Sequence, residues 1–243
     1  MVPLRSELRI RRETARRGVV NVRPSLDVVE KVAVLAPSDG LTFTTPRLAV
    51  SLRILSSDRS GTIGALPIGL GTIEIHRTVT GFQTFDTRTR TSYGVTPLRL
   101  APSILRTRGV WYCFEQNLIE AAGLQPRALP GSLHALEHAA IGMLPLFLIC
   151  DRWDVGGVST ALQDELKCAS VTIYDGSPGG SGIAELAFER VEEHLAATLE
   201  AIEACSCQFG CPSCVQSPKC GNGNEPLDKR GAACLARTGL SAS

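Results

Sequence analysis

Hydrophobic and polar positions alternate along the first half of the chain and change to helical spacing in the second. Val28–Leu35, Leu48–Leu55, Thr72–Val79 and Tyr93–Leu100 are short runs rich in β-branched residues and set off by turn residues, which predicts strands. Ile73, Ile75 and Val79 share one side of their alternation, as in a half-buried strand. Phe82–Tyr93, rich in Thr and Arg, reads as the outer part of a long hairpin, and Val110–Phe114 as a further strand. Pro37–Gly40 and Ser56–Gly61 are loops. Past Leu129-Pro-Gly-Ser132 the period changes. Leu133, Leu136, Ala140, Met143 and Leu144 share a helical face, so a buried helix is predicted over Leu133–Leu144, with Ser132 as N-cap and Pro145 ending it. A short helix near Thr160–Leu166, a strand over Ala169–Tyr174 and a glycine-rich turn over Asp175–Gly182 follow. Ile183, Ala187, Val191, Leu195, Leu199 and Ile202 then form one stripe of a long helix, Ile183–Ala204. A last helix is predicted from near Glu225-Pro226 towards Arg237. The class is α+β: a β-rich N-terminal part, then a mainly helical part with a short strand.

Composition sharpens the domain picture. The 243 residues are 44% hydrophobic and 20% charged, enough to bury a core. The net charge of +1 hides segregation. Residues 1–23 carry seven arginines against Glu7 and Glu13, and residues 77–108 carry six against Asp86. Residues 164–203 carry nine acids against Lys167 and Arg190. This layout suggests a basic face for an anionic partner. The expected organisation is a basic arm over 1–25, helical or disordered, a β-rich segment over 26–130 and a C-terminal domain over 131–243. The Arg-rich start lacks the apolar stretch of a secretory signal. The longest apolar run, Ala139–Cys150, is interrupted by Pro145 and shorter than the roughly twenty residues of a membrane span. No membrane association and a cytoplasmic location are expected, with Cys113, Cys150, Cys168 and Cys234 reduced and serving as packing residues.

Chemistry concentrates near the C-terminus. Cys205, Cys207, Cys211, Cys214 and Cys220 place five of nine cysteines in one short stretch. Closed structural zinc sites take four ligands, and Cys211-Pro-Ser-Cys214 has the C-x2-C spacing that presents two sulfurs from a tight turn. One structural zinc held by four of the five is the expectation. A redox pair or disulfide framework is the competing reading, and disulfides suit secreted chains.

Two other motifs bear on catalysis. The glycine-rich turn precedes a helix, a place where anions bind. Ile183 and Ala184 stand where a Walker A loop needs Lys and Ser/Thr, so it reads as a tight structural turn or a DNA-phosphate contact. His134-Ala-Leu-Glu137-His138 matches H-x-x-E-H, which puts both histidines on one helix face with Glu137 as a candidate base. A metal-dependent hydrolase would also need a third ligand, for which Glu185, Glu189 and Glu193 are available. No G-x-S-x-G elbow is present.

The ordered series Leu133–Ala140, Leu144–Phe147, Cys150–Ser159, Ile173–Gly182 and Cys205–Lys229 resembles the MrfA-type zinc-binding domain at the C-terminal end of a family of superfamily 2 DNA helicases. Thr80–Phe82 to Gly109–Trp111 is similar to the β-rich segment before it. The resemblance implies a zinc domain at 131–243 whose ligands carry over to Cys205, Cys207, Cys211 and Cys214, with Cys220 able to replace one of the first two. It implies a full enzyme with two RecA-like motors, 3′ to 5′ translocation and a place in DNA repair, in which the zinc domain packs near the motor and shapes the DNA path. Neither a Walker A nor a Walker B motif occurs here, so ATP would enter only through motor domains absent from this chain, which then resembles the C-terminal part of a helicase from a split gene, a truncated reading frame or a stand-alone accessory subunit whose motors lie on a separate chain. No catalytic residue is expected. Arg77, Arg88, Arg90, Arg106, Arg108, Lys219 and Lys229 are the expected phosphate contacts on single-stranded or forked DNA. Tyr93, Trp111 and Trp153 are candidate stacking surfaces. A purely structural or partner-docking zinc module is the third alternative.

Overall fold

The computed structural model describes the backbone of Arg9–Arg12, Asn21–Asp27 and Val32–Pro37, and residues 39–241 with their side chains. Ten strands and five helices are described: β1 (Arg9–Arg12), β2 (Asn21–Asp27), β3 (Val32–Pro37), β4 (Thr42–Ile54), β5 (Arg59–Ile63), β6 (Leu66–Asp86), β7 (Ser92–Pro97), β8 (Ser103–Phe114), α1 (Gln116–Ala121), α2 (Leu129–Met143), β9 (Val155–Gln163), β10 (Cys168–Asp175), α3 (Ile183–Glu189), α4 (Val191–Ala204) and α5 (Lys229–Leu240). The chain divides into two compact units, Met1–Ala49 with Thr78–Ala101, and Val50–Arg77 with Pro102–Ser243. Residue 130, the expected boundary, lies inside the second.

In the first unit β3 lies between β1, parallel to it, and β2, antiparallel. Part of the basic arm is therefore strand at Arg9–Arg12; the rest of residues 1–20 lies outside the described residues, as does Val28–Lys31 of the first expected strand. The later half of β6 pairs with β7 as the expected hairpin, closed by a turn in which the Asp86 carboxylate accepts the Arg88 and Thr89 N–H groups.

The second unit holds the C-terminal cysteines. β6, β8, β10 and β9 run in that order, antiparallel throughout. Side-chain alternation gives this sheet two apolar faces. Val110, Tyr112 and Phe114 of β8, with Ala169, Val171 and Ile173 of β10, pack under the helices. Leu105 and Trp111 of β8, with Tyr174 of β10, join Leu52, Ile73 and Ile75 on the other face. Every residue of β10 is buried as a result. On the helical side α2 supplies Leu133, Leu136, Ala140 and Leu144, α4 supplies Leu195 and Ile202, and α5 supplies Ala232, Leu235 and Ala236.

Several local expectations need correction. The predicted helix at 160–166 is mostly strand: β9 pairs with β10, and Gly156 and Gly157 let its backbone pass close to the Tyr174 ring and the Glu137 side chain, where a Cβ would sit 2.3 Å and 2.5 Å away. Cross-strand pairing outweighs the helix preference of Ala161 and Leu162. The C-terminal part is therefore less helical than expected. Ser132 does not cap α2, which starts three residues earlier with Pro130 in its first turn; the hydroxyl bonds back to Ala128 O at 2.9 Å. The expected long helix divides at Arg190 (φ −110°, ψ 17°), because α3 packs on β8 and β10 whereas α4 packs on α2 and α5. The final helix starts at Lys229, capped by Asp228 accepting from Gly231 N at 2.9 Å. Cys113 and Cys168 are joined by a disulfide rather than reduced, since the β8–β10 pairing brings their Cα atoms to 6.1 Å. Helix α1 carried no clear periodic signal. Among the described residues no helix is long and apolar enough to cross a membrane.

Candidate metal centre

Helix α4 stops at Cys205, whose extended backbone (φ −75°, ψ 120°) leads the chain to Lys229 at the start of α5. Gly210, at φ +113°, turns it back, and a Cβ there would meet Val215 at 2.6 Å. The Cys211 carbonyl then accepts from the N–H groups of Cys214, Val215 and Gln216 at 3.0–3.2 Å. That turn places the Cys211 and Cys214 sulfurs side by side. The four Sγ atoms of Cys205, Cys207, Cys211 and Cys214 all lie within 4.8 Å of one another. Three separations are short: 3.5 Å for Cys205–Cys211, 3.4 Å for Cys207–Cys214 and 3.8 Å for Cys211–Cys214. A tetrahedral zinc with Zn–S bonds of about 2.3 Å has S···S edges of about 3.8 Å. The donor set and its spacing fit zinc.

The surroundings pull the sulfurs in opposite directions. The Cys211 N–H points at Cys214 Sγ, 3.3 Å away. Lys229, at the first turn of α5, is 9% exposed. Its ammonium donates to Cys205 O at 2.5 Å and Cys207 O at 2.8 Å, with Cys207 Sγ at 3.5 Å. Against desolvation, hydrogen bonds from Cys214, Cys205 and Cys211 bring the Cys207 thiol down to about 7. Burial drives Cys214 up to about 12. Four sulfurs this close do not all ionise unless a cation sits among them.

Cys220, the fifth cysteine, stands apart from this cluster. Asn224 holds the loop beyond Cys214, accepting from Ser217 N at 2.7 Å and donating to Ser217 O at 3.1 Å. The loop brings Cys220 Sγ to 3.4 Å from His134 Nε2 on α2. His134, His138 and Cys220 each offer one ligand atom, all within 4.8 Å of one another. Between the histidines, Glu137 is buried and its carboxylate accepts from Ser159 Oγ at 2.7 Å. Burial raises its pKa. The three glutamates considered as a third hydrolase ligand are each taken up by an arginine: Glu185 by Arg108, Glu189 by Arg59 and Glu193 by Arg190.

The expected phosphate contacts divide by environment. Arg77, Arg88, Arg90 and Arg106 are exposed, although Arg77 donates to the Tyr174 hydroxyl. Arg108 bridges Asp58 and Glu185, Lys219 donates to the carbonyls of Arg152 and Val155, and Lys229 serves the cysteine loop. Tyr93 and Trp153 are exposed, whereas Trp111 is buried in the sheet. In the glycine-rich turn, Asp175 accepts from Ala184 N at 3.2 Å and from Ser181 Oγ, so a carboxylate of the chain itself occupies the N-terminus of α3. That geometry is a structural turn. The hold of Lys229 on the cysteine loop and the pairing of Cys220 with the histidines were not legible in the sequence, because both arise from loop closure, which no sequence period encodes.

An α+β scaffold that holds a four-cysteine cluster between its last two core helices defines a module with a candidate metal site. The family model described as "MrfA Zn-binding domain" matches residues 136–215. A Methanocaldococcus jannaschii protein, MJ1572.1, is 41% identical over 103 residues, which cover 40% of this chain and 89% of that protein. The ATP-dependent helicase YprA of Bacillus subtilis is 28% identical over 82% of this chain, which spans only 26% of the helicase. The crystal structure of the DUF1998 helicase MrfA bound to DNA shares the fold, with TM-score 0.65 and 24% identity over 92% of this chain and 29% of the helicase. The chain belongs to the MrfA Zn-binding domain family and is homologous to part of these ATP-dependent helicases.

Proposed function

We propose that the chain is the zinc-binding accessory part of an ATP-dependent DNA helicase, contacting DNA and packing on motor domains without hydrolysing ATP itself. The four-sulfur cluster carries the reading: its spacing fits one structural zinc held by Cys205, Cys207, Cys211 and Cys214. Bound there, zinc would tie the end of α4 to the turn at Cys211–Cys214, fixing a lobe with little core of its own. Lys229 orients that loop from below, and its carbonyl contacts brace the start of α5. Likeness to a helicase solved with DNA supports the DNA role, as do Arg88, Arg90 and Arg106, exposed and without acidic partners among the described ion pairs. Single-stranded or forked DNA is the proposed form. Such contacts are phosphate-directed, so affinity should fall steeply with salt.

The experiment is fluorescence-anisotropy binding of the zinc-loaded chain to forked DNA across a salt series. Arg88→Ala with Arg90→Ala should flatten the dependence of log affinity on log salt by about one unit per lost phosphate contact. Arg108→Ala should leave that slope unchanged, because its guanidinium is already spent on Asp58 and Glu185. No binding at low salt would refute the DNA role and leave a purely structural module.

A further inference from the structure

The geometry points to a second metal site, built from His134, His138 and Cys220, that takes a borderline-soft transition-metal ion such as Zn2+. It is separate in its residues from the four-cysteine cluster.

The two imidazoles come from successive turns of α2, four residues apart, so they stand on one face of the helix with ring centroids 4.3 Å apart. Each ring's Nδ1 is committed to a backbone carbonyl: His134 to Pro226 O and His138 to Val215 O, both at 2.9 Å. A carbonyl only accepts, so both Nδ1 atoms carry the proton and both Nε2 atoms present lone pairs. Metal-binding histidines are typically held in this way, by an acceptor on the other ring nitrogen that fixes tautomer and ring orientation. The two Nε2 atoms converge on Cys220 Sγ, and His134 Nε2 is 3.4 Å from it. For zinc with Zn–N of about 2.05 Å and Zn–S of about 2.3 Å, the tetrahedral N···S edge is about 3.5 Å. The sulfur in turn accepts the Asn224 N–H at 3.2 Å, which favours the thiolate a metal requires.

Simple thiol–imidazole pairing explains this arrangement less well. One imidazole suffices to accept a thiol proton, yet two lone pairs are locked towards the same sulfur by independent loop carbonyls. His138 is buried, whereas His134 and Cys220 are partly exposed, so the fourth position opens towards solvent and suits a water. Glu137 is no ligand in this arrangement, since its carboxylate is held by Ser159 outside the trio. The bound ion would pin the 217–226 loop to α2, just as the four-cysteine cluster pins the 205–214 loop to α4. Both supporting carbonyls lie in the C-terminal loop, so the two centres would order one continuous segment from Cys205 to Pro226.

The test uses the full chain loaded with zinc. X-ray absorption at the zinc edge should show imidazole scattering in addition to sulfur, and metal analysis should find about one ion fewer per chain in Cys220→Ser and in His138→Gln than in the wild type. Cys211→Ser should lose the sulfur-only ion and keep the imidazole-bearing one, which separates failure of this site from failure of the four-cysteine site. Sulfur-only scattering in the wild type, needing no variant to fold, would overturn the proposal. So would equal zinc in wild type and Cys220→Ser.

Discussion

Lys229→Met tests whether a lysine first expected on a DNA phosphate instead sustains the metal loop. Methionine keeps the apolar stem and removes the ammonium. Two hydrogen bonds are lost, at 2.5 Å to Cys205 O and 2.8 Å to Cys207 O, together with the positive charge 3.5 Å from Cys207 Sγ. Hydrogen bonds to a charged donor contribute about 1.5–3 kcal/mol each. Lys229 is only 9% exposed, so little water can replace it. Taking the lower end for each bond, the combined loss is roughly 3 kcal/mol. If the zinc-loaded state bears all of it, affinity falls about a hundredfold, at 1.4 kcal/mol per decade. That agrees with the 10–100-fold typical when a group that hydrogen-bonds around metal ligands is removed. Competition with a chromophoric chelator measures it directly. A variant whose zinc affinity stays within about threefold of wild type would refute the reasoning, and Lys229 would have to be reassigned to the surface role.

Two further outcomes follow from the core. His194 donates from Nε2 to Ala140 O at 2.7 Å and accepts at Nδ1 from the Tyr112 hydroxyl, with Phe147 edge-on, and burial lowers its pKa. The unfolded chain takes up this proton below about pH 6.5, whereas the folded chain resists. Stability is therefore full above that pH and declines as pH falls, by up to about 1.4 kcal/mol per unit. Urea unfolding from pH 7.5 to 5.5 should show a shallower decline in His194→Gln than in wild type; parallel declines would contradict it. Gly231→Ala should destabilise although alanine favours a helix by about 1 kcal/mol. The added methyl would sit 1.9 Å from Ser132 Oγ and 2.7 Å from Asp228 Oδ2, where α5 meets α2, and overpacking of this kind costs about 1–3 kcal/mol. A raised urea midpoint would show that the interface yields.

Legibility in the sequence followed the range of the forces involved. The strands around Ile73 and Ile75, the buried face of α2 and the strand at β10 could be read because their periods are local. The strand β9 could not, since Ala161 and Leu162 favour helix and only pairing with β10 decides otherwise. The break at Arg190 escaped notice because one apolar stripe serves two partners, the sheet under α3 and the helices beside α4. At the metal centre, spacing selected five cysteines but did not rank them. Folding separated four sulfurs from Cys220 by placing Cys220 against His134, 86 residues away in the chain. The H-x-x-E-H pattern placed His134 and His138 on one face of α2, but a helix period shows only which residues share a face and leaves open what loop arrives there.

The central claim is that Cys205, Cys207, Cys211 and Cys214 hold a structural zinc that fixes the C-terminal lobe. Zinc per chain, measured after chelator dialysis in wild type and in Cys211→Ser, tests it most directly. The account predicts that the variant loses one ion and that amide exchange rises from Cys205 into α5. Equal zinc in both, with unchanged exchange, would contradict it.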